Sequence, residues 1–119
     1  ILAGEPIPVF NNGNMKRDFT YIEDIIAGTR AAIDKNCKCE VFNLGNHRSE
    51  QLMDVVHLIE ENLGKKADTE FLPIQPGDIK ESLADIENST DKLDYLPKIS
   101  IDKGVPNFIN WYKSYFQLL

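Results

Sequence analysis

Val9-Phe10-Asn11-Asn12-Gly13-Asn14-Met15-Lys16-Arg17-Asp18-Phe19-Thr20-Tyr21-Ile22-Glu23-Asp24-Ile25 is the stretch whose reading decides the fold. An apolar pair runs into Asn11-Asn12-Gly13-Asn14, residue types that tolerate positive φ and therefore mark a tight turn. A second extended run follows at Asp18 to Tyr21. From Ile22 the apolar positions switch to helical spacing, recurring at 22, 25, 26 and 33, with Glu23 and Asp24 favourably placed in the first turn. Arg17 lies between the turn and this helix. Its planar, fork-shaped cation suits a phosphate, which makes the turn a candidate anion site.

Outward from that stretch the chain reads as short strands and amphipathic helices. Ile7-Pro8-Val9-Phe10 is a strand tolerable only near a sheet edge, because Pro8 cannot donate to a ladder. Before it, Ile1-Leu2-Ala3-Gly4 and Pro6 look like the last turn of a helix, and the chain is expected to be a piece of a longer polypeptide. The helix opening at Ile22 should end near Asn36. Glu40 to Gly45 reads as a β-type run, and Ser49 offers an N-cap for a second helix with Leu52, Val55, Val56, Ile59 and Leu63 on one face, closed by Gly64. Thr69 to Leu72 is a third strand candidate. It leads into Pro73-Ile74-Gln75-Pro76-Gly77-Asp78, where two prolines and a glycine fix a rigid loop. Ser89 could start a short helix that stops at Tyr95-Leu96-Pro97. A closing helix carries Ile101, Val105, Phe108, Ile109, Tyr112, Tyr115 and Phe116; Pro106 either lies in its first turn, moving the start toward Gly104, or kinks it. The class is α/β, a small α+β-like single domain over 1–119 with short strands and three main helices. Its βα alternation is too brief to wind a nucleotide-binding sheet.

Composition narrows the function classes. The chain has 119 residues, 42% of them hydrophobic and 27% charged. That supplies one core of ordinary domain size. With 13 basic against 19 acidic side chains the net charge is −6, which gives no basic footprint for a nucleic-acid backbone. No apolar run reaches the roughly 20 residues that span a bilayer, and a cytoplasmic site is expected. Cys37 and Cys39 are too close for an easy structural bridge and read as reduced surface thiols. His47 and His57 lack partners at zinc spacing; His57, in a helical pattern, is expected to be partly buried. Glu60 and Glu61 read as a solvated helix face, and Tyr112 and Tyr115 as packing aromatics.

Signatures of catalysis are missing from the sequence. There is no Gly-x-Gly-x-x-Gly after a strand, no Gly-Lys-Ser/Thr loop and no nucleophile elbow. On residues alone the segment is a binding half without a reacting half.

Taken together, Pro6 to Asn11 and Arg17-Asp18-Phe19-Thr20-Tyr21-Ile22-Glu23-Asp24-Ile25 resemble the C-terminal part of the extended short-chain dehydrogenase/reductase family, the NAD-dependent nucleotide-sugar epimerases and dehydratases. Phe42-Asn43-Leu44-Gly45-Asn46, Gln75-Pro76-Gly77-Asp78, Ala84-Asp85, Leu96-Pro97 and Trp111-Tyr112 follow in the family's order, so the resemblance covers essentially the whole chain. Asn11-Asn12-Gly13-Asn14-Met15 before the Arg-Asp-Phe-Thr-Tyr motif is most similar to the UDP-glucuronate 4-epimerase branch.

The resemblance implies a UDP-sugar substrate. Phe10, preceded by Val9, would lie against the uracil, Arg17 would pair with the diphosphate, Gln75 would offer an amide where several relatives carry an Arg, and Asp78 would lie near the ribose. Phe10 as plain core and Asp78 as a turn residue stay open on the residues alone. The resemblance also implies NAD and a Tyr-x-x-x-Lys pair in a Rossmann domain outside this sequence, so the fragment itself should bind no cofactor and be inactive. A dehydratase or decarboxylase of the same family, or a non-catalytic binding module, are the alternatives. Apolar surface around Val9, Phe10 and Phe19 is expected to face the absent domain and to drive self-association.

Overall fold

The computed structural model describes residues 1–118. Strand β1 (Ile7–Val9) lies parallel to β4 (Thr69–Phe71), with Ile7 opposite Thr69 and Val9 opposite Phe71. Parallel strands need a long crossover, and helices α1 (Ile22–Lys35) and α2 (Leu52–Leu63) lie within it. Pro8 is tolerated because each strand of this pair has an open edge.

After Val9 the chain winds through a 3-10 turn, Phe10–Gly13, in which Asn11 and Asn12 hold φ of 50° and 51°. Asparagine visits this left-handed region with least strain among residues that carry a Cβ. The turn reverses into β2 (Lys16–Arg17), antiparallel to β3 (Glu50–Gln51). On the other side of β2, the Lys16 N–H donates to the Lys80 carbonyl (2.8 Å) and the Ser82 N–H to the Lys16 carbonyl (3.2 Å). The second strand therefore lies upstream of the extended run expected at Asp18 to Tyr21. The ladder ends at Asp18, whose N–H donates to the Ser82 hydroxyl (3.4 Å) rather than to a strand carbonyl.

The α1 and α2 ends fall where the residue pattern predicts, at Asn36 (φ 52°) and Gly64 (φ 64°). Both are left-handed caps, a conformation that Gly and Asn adopt with little strain. Two expectations fail between them. Glu40 to Gly45 forms no strand: no strand lies beside it among the described residues, and it is fixed through side chains instead. Asn43 Nδ2 donates to the Asp85 carbonyl, Ser89 Oγ to the Asn43 carbonyl and Tyr95 Oη to the Gly45 carbonyl. Ser49 does not cap α2. Pairing of Glu50 and Gln51 in β3 delays the helix to Leu52, and the Ser49 hydroxyl is buried with no protein partner among the described residues.

Helix α3 (Glu87–Leu93) starts two residues before Ser89, which is fully buried inside it. Helix α4 (Ile101–Tyr115) begins behind Ser100 and runs through Pro106, so its start is not at Gly104. Gly104 has a different use. A Cβ there would sit 3.1 Å from the Tyr21 ring, so its absence lets α4 approach the motif. Gly28 does the same for α1, where a Cβ would fall 2.6 Å from Leu44 and 2.8 Å from Tyr95. Ile86, Leu93 and Tyr95 form the main cluster behind it, packed against Ala31, Ala32, Phe42, Leu44 and Ala84.

The molecule is a slab of 48 × 37 × 20 Å with a radius of gyration of 16.7 Å, against about 13.5 Å for a self-contained domain of this length. The exposed apolar surface is not where the sequence placed it. Val9 is buried, and Phe10 and Phe19 are half-buried. The open apolar side chains are instead Ile22, Ile26 and Ile33 on α1, and Phe108, Trp111 and Tyr115 on α4. Tyr115, read as a packing residue, is 66% exposed and stacks on Trp111 with ring centroids 5.3 Å apart. His57 is exposed rather than partly buried. Glu60 is buried rather than solvated, and accepts from Lys66 Nζ (2.7 Å) and the Ala67 N–H (2.8 Å). Those bonds, the Lys66 ammonium first, hold its carboxyl below the ordinary value. Cys37 and Cys39 are free thiols. Among the described residues no helix is long and apolar enough to cross a membrane, and no group of side chains is arranged to hold a metal.

Candidate anion site

The site starts from the polar turn. Asn14 N–H donates to the Asn11 carbonyl (2.9 Å) and Asn11 Nδ2 returns to the Asn14 carbonyl (2.6 Å), which closes the turn on itself and delivers β2 in a fixed direction. Asn12 N–H donates to the Leu72 carbonyl and Leu72 N–H to the Val9 carbonyl, so turn and β4 form one frame. Arg17 ends β2 with its side chain about one-quarter exposed.

Two hydrogen bonds orient the guanidinium. Nη1 donates to the Lys16 carbonyl and Nη2 to Asp78 Oδ1, both at 2.8 Å. Arginine carries five N–H groups, so three stay available. The loop that supplies Asp78 is the rigid one read from its prolines: Asp78 N–H donates to the Gln75 carbonyl (3.1 Å) across Pro76 and Gly77, and Gly77 holds φ of 84°. Proline second and glycine third make this a type II turn, which requires positive φ at its third residue.

Of the residues singled out in the sequence, Arg17 and Asp78 are brought into direct contact. Gln75 is exposed at the start of the same turn, three residues from Asp78. Phe10 is half-buried where β1 enters the polar turn, and Val9 lies in the core with its carbonyl engaged by Leu72.

The sequence reading missed the two carboxylates that hold this face in place. Asp18 accepts backbone N–H bonds from Asn46 (2.8 Å), His47 (3.1 Å) and Ala84 (3.0 Å), so one side chain ties β2 to two distant loops. Asp24, buried in α1, accepts from the Lys98 and Ile99 N–H groups (3.0 and 2.9 Å) and anchors the approach to α4. Tyr95 lies buried behind both, its phenol pushed up first by burial and then by the Asp24 and Asp18 charges. The sequence signal was slight, an aspartate with an apolar residue on one side only, Phe19 after Asp18 and Ile25 after Asp24; a carboxylate buried there must find donors.

An apolar groove of about 340 Å³ runs beside the motif between Phe19, Tyr21, Ile59, Ile99, Val105 and Phe108. It offers no charged side chain and is separate from the Arg17 fork.

With this geometry, the first 45 residues match the NAD dependent epimerase/dehydratase family. An uncharacterized protein of Methanocaldococcus jannaschii is 47% identical over 94% of this chain and 34% of its own length. The UDP-glucuronate 4-epimerase of Thermodesulfobacterium geofontis is 36% identical over 100% of this chain and 37% of its own. The crystal structure of UDP-glucuronic acid 4-epimerase from Bacillus cereus in complex with UDP-glucuronic acid and NAD superposes with a TM-score of 0.85 at 34% identity, over 96% of this chain and 37% of that one. The chain thus spans little more than a third of the length of the relatives it matches.

Proposed function

We propose that this chain, a relative of the NAD-dependent epimerases and dehydratases, is the nucleotide-sugar-binding part of an NAD-dependent 4-epimerase whose substrate is UDP-glucuronate. The observation that carries the reading is Arg17, a part-buried guanidinium with three N–H groups available on a face framed by two rigid turns. Two parallel charge-assisted bonds from such a fork match a phosphate, each worth ~1.5–3 kcal/mol when well placed. In this reading Phe10 adds an aromatic face for the uracil, worth ~1 kcal/mol. Val9 sets the position of Phe10, Gln75 contributes an uncharged amide, and Asp78 faces the ribose side.

The described residues do not fit NAD. A dinucleotide's pyrophosphate rests where a glycine-rich turn leads from a parallel strand into a helix N-terminus. Here β1 enters the Phe10–Gly13 turn and β4 enters the Pro73–Asp78 loop. The cofactor and the hydride chemistry are therefore assigned to the remainder of the proposed enzyme, a Rossmann domain, with the cytoplasm as its place. This chain's share is to bind and orient the nucleotide. The thin slab and the apolar side chains open on α1 and α4 support a partner domain over that surface, and self-association of the isolated chain in its absence.

Calorimetric titration with UDP and with NAD tests the assignment. The complete polypeptide should bind both and interconvert the C4 epimers of UDP-glucuronate. The isolated chain should bind UDP at millimolar concentration at best, ~−4 kcal/mol, and NAD not at all. Micromolar NAD binding by the isolated chain, or no UDP binding by the complete polypeptide, overturns it.

A further inference from the structure

We infer that Asp78 is a positioning residue for Arg17: it holds one arm of the guanidinium so that the rest of the fork is preset for a diphosphate, and its effect on nucleotide affinity runs through that arginine. The inference rests on the nucleotide reading above and deepens it, because it gives Asp78 a task other than touching the ribose.

The geometry is explicit. Asp78 Oδ1 lies 2.8 Å from Arg17 Nη2 and also accepts the Ile79 N–H at 2.8 Å, so the carboxylate is itself oriented before it orients anything else. Its backbone is locked by the type II turn from Gln75. Immediately downstream, Lys80 and Ser82 are hydrogen-bonded to Lys16, the residue next to Arg17. Asp78 and Arg17 are thus carried on two pieces of backbone that are fastened together. With Nη1 held by the Lys16 carbonyl, both arms of the fork are anchored. The neighbouring cation is not held in this way: Lys16 Nζ reaches Glu81 only at 3.9 Å, with both side chains well exposed.

A long side chain ordered in advance loses less freedom when the ligand arrives, which is where preorganisation gains affinity. An opposite effect makes the idea testable by sign. Asp78 is a negative charge beside a site for an anion, so by charge alone its neutralisation would tighten binding. If positioning dominates, the same change weakens it.

UDP affinity is measured by calorimetry on the complete polypeptide, comparing wild type, Asp78→Asn, Asp78→Glu, Arg17→Ala and the Arg17→Ala/Asp78→Asn pair, with thermal midpoints as a folding control. We expect Asp78→Asn to lower affinity about tenfold, or ~1.4 kcal/mol, with an unchanged midpoint. Asp78→Glu, which keeps the carboxylate, should recover part of the loss. In the Arg17→Ala background the same Asn substitution should change affinity less than about twofold, since coupled residues are non-additive. Replacing UDP by 2′-deoxy-UDP should leave the tenfold effect in place. Unchanged or tighter binding by Asp78→Asn overturns the inference. So does an equal loss in both backgrounds, or a loss that vanishes with 2′-deoxy-UDP, which would put Asp78 on the ribose. These three results leave the nucleotide reading standing, whereas failure of the wild type to bind UDP removes that reading and this one with it.

Discussion

The outer face that carries Arg17 and the inner face that carries Asp18 and Asp24 come from one short motif, yet they are held by different means. Arg17, beyond the carbonyl of its own neighbour Lys16, meets a side chain, Asp78, in a pair about one-quarter exposed. Asp18 and Asp24 are held chiefly by main-chain N–H groups, three for one and two for the other, from loops far away in sequence, with the Thr20 hydroxyl adding one longer bond to Asp18 (3.4 Å). A side-chain partner can be exchanged for a ligand at little loss to the fold. Main-chain partners cannot, because backbone donors stripped of their acceptor inside a protein carry the full desolvation penalty. The comparison separates a part that recognises from a part that builds, although the two alternate along the same few residues.

The largest expected effect falls on the building side. Asp24, buried in α1, is the acceptor for the Lys98 and Ile99 N–H groups. Asp24→Ala strands both donors and should lower unfolding free energy by ~2–4 kcal/mol. Urea unfolding reads this directly. A loss under ~0.5 kcal/mol, the range of ordinary surface changes, would mean that α1 and the approach to α4 are held together by packing alone.

The contrast also explains how much could be read without coordinates. Helix ends were legible where a single residue type does the work, as at Asn36 and Gly64, and so was the Asn11–Gly13 turn. Arg17 and Asp78 were both singled out in the sequence, and the fold brings them into contact. Asp18 and Asp24 were not, since their partners are backbone groups 28 to 75 residues away and any residue supplies an N–H. Glu40 to Gly45 looked like a strand because β-propensity describes fitness for a half-buried pleated surface and does not create the neighbour that would pair with it. Ser49 lost its capping role for a similar reason: β3 pairing competes for the same residues. Glu60 was misread from composition, its burial arising from a loop that folds back to offer Lys66 and the Ala67 N–H.

Glu60 sharpens the comparison at the small end, as a carboxylate with one partner of each kind. Its folded-state value is lowered, first by Lys66. Its stabilisation is therefore fully present above the unfolded carboxylate value of ~4.3 and is lost as pH falls through the lower folded value. Glu60→Gln should narrow the gap between thermal midpoints at neutral pH and at about pH 3. An identical acid-induced drop in wild type and variant would show that other carboxylates carry the acid sensitivity.

The most direct measurement sets the two neighbours against each other in the complete polypeptide, recording UDP affinity and thermal midpoint for Arg17→Ala and Asp18→Asn. Arg17→Ala should keep the midpoint within a few degrees and lose ~2–4 kcal/mol of UDP binding, the worth of two charge-assisted bonds less what water restores. Asp18→Asn turns an amide NH2 toward groups that are themselves donors. It should lower stability by ~2–3 kcal/mol, while UDP affinity measured on the folded fraction falls far less than for Arg17→Ala. If Arg17→Ala binds UDP as wild type does while Asp18→Asn is as stable as wild type, the division between a recognising and a building face is wrong, and Arg17 is a surface residue.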